Sequence, residues 1–156
     1  MRRMMPWAVA LAAVLFAGVT QAQTASDMEV LRQRLKDGKK LVVAQAMQLS
    51  ENEAPGFWPV YEAYQVDLGA LNARLGQLIK AYAAAYRTDT VTNEKAQALI
   101  EEMLKIEQAE VDLSRAYVPK LAAVLSAVKV ARYLQVENKI RTLLKYELAG
   151  EIPLAK

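Results

Sequence analysis

The residue types that most often carry chemistry are scarce in this chain. Among its 156 residues there is no His and no Cys. The commonest general base, the commonest metal ligand and the thiolate nucleophile are therefore all missing. Di-iron chemistry in a helical bundle uses Glu-x-x-His pairs, and a haem needs an axial His, Cys or comparable ligand. Zinc held by carboxylates alone is poor zinc chemistry. What remains is carboxylates and aromatics. Glu107 and Glu110 are neighbours on a helix face and could act as an acid and base. No Gly-rich loop accompanies them, and a solvated acidic face is the simpler reading. The other concentration is Phe57-Trp58-Pro59-Val60-Tyr61-Glu62-Ala63-Tyr64, which reads either as core or as an aromatic surface for partners. The sequence points away from an enzyme and calls for no cofactor.

The elements that would position these residues are helices, and no strand pattern is present. From Phe57, large apolar residues recur at 57, 61, 64, 68, 71, 75, 78 and 82, with Tyr86 a turn beyond. Alternating steps of four and three make one stripe along one helix face. Such a helix, over about 57–86, is roughly 45 Å long at ~1.5 Å per residue. It implies an elongated all-α protein of about four long helices, an antiparallel bundle or curved cradle.

A first helix is expected over about Asp27–Met47, with Met28, Leu31, Leu35, Val42 and Met47 inward and Gly38 weakening its middle. Its other face carries Arg32, Arg34, Lys36, Lys39 and Lys40, either simply solvated or lining a site for acidic or unfolded partners. Ser50 and Glu53 have the spacing of a capping box for the second helix. Pro55, Gly56 and Pro59 predict a bent or 3₁₀ start, regular by Val60. The short polar run 87–91 makes the second and third helices antiparallel neighbours. Thr92 caps the third, with Ala96, Leu99, Met103, Ile106, Leu113 and Tyr117 inward and Glu110 interrupting the seam. A bend is expected near Pro119, and Ser126 caps a fourth helix over about Ala127–Leu148. Its expected inner face is Val128, Ala131, Val136, Ile140, Leu143 and Leu144; its outer face carries Lys129, Arg132, Lys139, Arg141 and Lys145, and Gly150 stops it.

Residues 1–22 read as a signal peptide. Arg2 and Arg3 precede the uncharged run Trp7–Val19, and Thr20-Gln21-Ala22 suits cleavage after about Ala22. The run is shorter than the ~20 residues a spanning helix needs. Residues 23–156 then form one helical domain, in which 18 of the 20 basic residues face 17 acidic ones. A balance of +1 gives no argument for nucleic acid. Attraction of the basic faces to an anionic membrane surface stays open but is not favoured.

Leu49-Ser50-Glu51-Asn52-Glu53 and Val91-Thr92-Asn93-Glu94-Lys95 each precede a predicted long helix. The paired motifs resemble the twofold Leu-Thr-x-x-Gln pattern of the periplasmic Spy/CpxP family. Ser50 keeps the hydroxyl and Glu53 keeps an acceptor, whereas Lys95 cannot accept a hydrogen bond. Phe57-Trp58-Pro59-Val60-Tyr61, Tyr117-Val118-Pro119-Lys120 and the run Ala131–Arg141 are similar to small exported bacterial proteins of that group. The resemblance implies a curved helical homodimer in the periplasm that binds unfolded or misfolded clients without ATP, or restrains an envelope-stress sensor kinase. The missing His argues against the family's zinc-responsive branch. Candidate partner-binding residues on this reading are Arg32, Arg34, Lys36, Lys39, Lys40, Phe57, Trp58, Tyr61, Arg132, Lys139 and Arg141. Leu49, Ser50, Glu53, Val91 and Thr92 are the motif positions that cap helices.

Overall fold

The structure, a computed structural model, describes residues 38–155. The calls that fall before Gly38 (the signal peptide, and the first part of the first helix with Arg32, Arg34 and Lys36) lie outside the described residues. Four helices make up the described chain: α1 Lys39–Met47, α2 Ala54–Arg87, α3 Asn93–Ala122 and α4 Ala127–Glu151. The fold is all-α and fits a four-helix bundle. At ~1.5 Å per residue α2 is roughly 50 Å long.

The apolar stripe of α2 decides where the bundle closes. Phe57, Tyr61, Tyr64 and Leu68 are buried, whereas Leu71, Leu75 and Leu78 further along are only half-buried. The core therefore gathers at one end. Val42, Val43 and Met47 of α1, Tyr117 and Leu121 of α3, and Val130, Tyr133 and Ile140 of α4 pack around the aromatic turns of α2. Tyr133 is the hub, with T-shaped ring contacts to Phe57 at 5.3 Å and to Tyr64 at 5.9 Å. Tyr64 in turn meets Tyr117 edge-on at 5.2 Å. Edge-to-face pairs suit the ring quadrupoles and add to the area buried.

Local signals fix the joints. Thr92 accepts from the amide of Lys95 and Ser126 from that of Lys129, as N-caps do. The turn 88–92 folds α3 back antiparallel on α2, so Arg74 meets Glu102 and Tyr117 meets Asp67. Gly56 lets the first turn of α2 approach Val124 closely; a Cβ there would sit 2.9 Å from a Val124 methyl.

Four local expectations are corrected. Gly38 is not mid-helix: its φ of +132° is open essentially to glycine alone, and α1 starts after it. The start of α2 is regular from Ala54, because Pro55 lies in the first turn, where no intrahelical donor is needed. Pro59 and Pro119 lie within α2 and α3, which continue on both sides of them, and do not count among these corrections. Gly150 does not stop α4, which continues to Glu151 before Pro153. The inner face of α4 is Val130, Tyr133, Glu137, Ile140 and Leu143, while Val128 is 76% exposed and Ala131 and Leu144 are exposed.

The buried tyrosines carry a pH signature. Burial, with the Glu137 and Glu62 charges nearby, pushes Tyr61 up to about 12. The hydrogen bond donated to Asp67 pushes Tyr117 up to about 12. Burial, then Glu137, pushes Tyr133 up as well. Each folded value lies above the unfolded tyrosine value of ~10, so the stability these groups add is complete below pH ~10 and lost as pH rises through the folded values. In an alkaline titration the three phenolates are expected to appear only together with loss of helical circular dichroism. Their ionisation near pH ~10 in a still-helical chain would overturn this placement.

Candidate protein-interaction surface

The motif residues are structural fasteners. Leu49 packs against the core. Glu53 reaches back to the amide of Ser50 at 2.9 Å, as a capping box requires. The reciprocal half differs: the Ser50 hydroxyl donates to the same carboxylate, and the Ser50 carbonyl accepts from the amides of Glu53 and Ala54. Glu53 also pairs with Lys129 at the start of α4, and Lys129 donates to the carbonyl of Gln48. Lys129 and the Ser50 donors hold the Glu53 carboxyl down at about 2. The first motif thus ties the α1–α2 joint to α4. At the second, Thr92 caps α3 and Val91 is half-buried.

The sequence-predicted partner residues divide sharply. Phe57 and Tyr61 are corrected: they are core, at 0% and 5% exposure. Trp58 is half-buried against both, with Lys40 over its ring at 5.0 Å. Of the basic residues, Lys39 and Arg141 are turned inward to buried acids, whereas Lys40 and Lys145 reach their acids from exposed positions. Lys39 pairs with Glu137 at 2.7 Å and donates to Gln65, and Lys40 pairs with Glu62 at 2.7 Å. Arg141 and Lys145 both pair with Glu110. Arg132 and Lys139 are exposed. A continuous basic lining therefore does not form among the described residues.

The acidic candidates also separate. Glu107 is exposed, whereas Glu110 is buried between Arg141 and Lys145. The interruption of the α3 seam is thus an internal ion cluster joining α3 to α4, not a solvated face, and it forms no acid–base couple with Glu107.

Sequence reasoning passed over two apolar features. Ile100, Leu104, Val111 and Val118 on α3 are all exposed, at 54%, 54%, 52% and 38%. Steps of four and seven put them on one narrow line along the helix, turned away from the buried Ile106 and Tyr117. Glu107 falls within that line. Beside it, where the α2–α3 hairpin extends past the core, lies an apolar cup of about 300 Å³. Leu75, Leu78 and Tyr82 of α2 and Leu99, Ile100 and Met103 of α3 form its wall. Met103, expected inward, is 43% exposed because past the core end the hairpin is bordered by the tail after α4, at Ile152 and Ala155, rather than by a packed helix. The missed signal was the 4-7-7 spacing itself, a second stripe on a helix already assigned one.

Among the described residues no helix is long and apolar enough to cross a membrane, and no cluster of three acidic side chains could hold a metal ion. No protein-family model matches the chain, and no curated protein or solved structure matches it.

Proposed function

We propose that this chain is an exported Spy/CpxP-like protein that binds unfolded or misfolded envelope proteins in the periplasm without ATP. The observation that carries the reading is the exposed line Ile100, Leu104, Val111 and Val118, opening at one end into the cup of the α2–α3 hairpin. Contiguous apolar surface on a folded chain marks an interaction site. Clients dock there by apolar contact, while Lys39 and Arg141 are committed to the buried Glu137 and Glu110. A narrow stripe interrupted by one carboxylate, Glu107, favours a second reading, since a polar residue within an apolar seam selects register and partner. On that reading the protein restrains one sensor domain.

The test is aggregation of two unrelated unfolding clients with the protein at near-stoichiometric ratio, without ATP. General holding predicts suppression of both, little changed by salt because apolar contact is not screened. Leu104→Asp with Val111→Asp is expected to keep the melting point and weaken client binding roughly tenfold or more, at ~1–2 kcal/mol per lost anchor. Unchanged aggregation of both clients would abandon the holding function and leave the single-partner reading. Full activity in the double variant would move the site off α3.

A further inference from the structure

The cup of the α2–α3 hairpin is crossed by the chain that follows α4. Pro153 cannot continue a helix, and the residue before a proline is driven to extended backbone. α4 accordingly stops at Glu151, and Ile152 leaves it at φ −95°, ψ 113°. Beyond that point Ile152 and Ala155 line the cup together with side chains of α2 and α3. The Tyr82 hydroxyl, on α2, donates to the Pro153 carbonyl at 2.8 Å.

We propose that residues 152–155 are a displaceable strap, and that the cup takes an extended, apolar, proline-containing stretch of an unfolded chain in their place, an inference that rests on the client reading and names the client's chemistry. Tyr82 then donates to a backbone carbonyl of that stretch as it now does to Pro153.

The walls select this chemistry. Among the described residues that line the cup, Tyr82 alone brings a polar side-chain group. An occupant must therefore be apolar and offer one acceptor. An extended segment has carbonyls to spare, whereas those of a helix or sheet are already paired. A proline removes an N–H for which these walls hold no side-chain acceptor, and fixes φ in advance. At about 300 Å³ the cup is at the small end of the ~300–1,000 Å³ range of ligand pockets, suited to a few side chains rather than to a folded surface. Val91, the apolar position of the second motif, is one of its walls, set in place by the cap at Thr92.

The strap is lightly held. Ile152 is half-buried, Pro153 and Ala155 are exposed, and Leu154 is 89% exposed. It lies along the cup without filling it, and a client stretch that turns more apolar side chains inward can replace it.

The probe is a fluorescently labelled peptide of sequence Glu-Ile-Pro-Leu-Ala, read by anisotropy. A tethered occupant competes at an effective concentration of order mM, so the peptide is expected to bind a variant ending at Glu151 at least ~tenfold tighter than the full chain. Ile152→Ser in the full chain removes the half-buried anchor at unchanged length and is expected to tighten peptide binding in the same way. Tyr82→Phe in the shortened chain is expected to weaken the peptide about fivefold, as for one net hydrogen bond, at an unchanged melting point. On the unsubstituted chain, saturating peptide is expected to move the amide resonances of Leu154 and Ala155 to those of a free segment. Resonances that stay in place while peptide binds would overturn the proposal, as would equal affinity for the full and shortened chains or no binding to either. Client aggregation separates the two readings. Tighter peptide binding by the shortened chain, with both clients still aggregating, would retire general holding and leave the strap and its site. Suppression of both clients without peptide binding would do the reverse.

Discussion

Replacing Phe57 with alanine is expected to cost the fold ~3–5 kcal/mol, the range for emptying a buried aromatic site. Phe57 is fully enclosed and touches Trp58, Tyr61 and Tyr133 ring to ring. The site cannot collapse easily, because the first turn of α2 is already held close to Val124 at Gly56 and tied to α4 through Glu53 and Lys129. For a domain of this size the loss corresponds to a fall in melting temperature of roughly 10 °C or more. Trp58→Ala is the internal comparison. Trp58 is half-buried at the edge of the same cluster, so about half that loss is expected even though its side chain is larger. Denaturant melts of the two variants decide the matter. A larger loss for Trp58→Ala would mean that the outer ring carries the packing, and would reopen the aromatic cluster as a surface.

Why the aromatic stripe was legible, when other stripes were not, follows from its length and its caps. Phe57, Tyr61, Tyr64 and Leu68 repeat without a polar interruption, so period and burial agree. Thr92 and Ser126 act on amides three residues away, a relation contained in the sequence itself. The role of Phe57 and Tyr61 was not contained there. Core and binding surface use the same residue types, and only the arrival of Tyr133 from another helix settles which one applies.

On α4 the inner face was misplaced for a related reason. A reading that excludes charges from the interior skips Glu137 and selects Val128 and Ala131, which the structure exposes. The true line of Val130, Tyr133, Glu137 and Ile140 is regular once the carboxylate is admitted. Glu110 repeats the lesson on α3, where the apparent gap in the seam holds Arg141 and Lys145. The α3 surface stripe was hidden differently: Ile100, Leu104, Val111 and Val118 lie off the one stripe that Ala96, Leu99, Met103, Ile106, Leu113 and Tyr117 define, and a helix with one apolar face assigned gives no reason to look for a second. Amphipathicity reports that a face is apolar; it does not report whether another helix reaches it.

The buried Glu137 gives the second large effect and tests that argument directly. Its side chain is 3% exposed and is satisfied on both oxygens, by Lys39 at 2.7 Å on one and by Gln65 at 2.8 Å and Tyr133 at 3.1 Å on the other. Lys39→Met removes the one cation paired with it among the described residues and leaves a charge enclosed, which is expected to cost about 3 kcal/mol, near the low end for broken buried pairs. Glu137→Leu is expected to cost less, because Lys39 keeps 27% of its side chain in solvent and can swing its ammonium outward. The double variant is the informative one. With neither charge present, most of the Lys39→Met loss is expected to return, as apolar replacements of buried pairs often do. A double-mutant cycle in urea therefore predicts strong coupling, of order 2 kcal/mol. Additive losses would mean that the pair holds α4 through packing alone, and that its charge had no part in setting the register by which α1 lies against Tyr133.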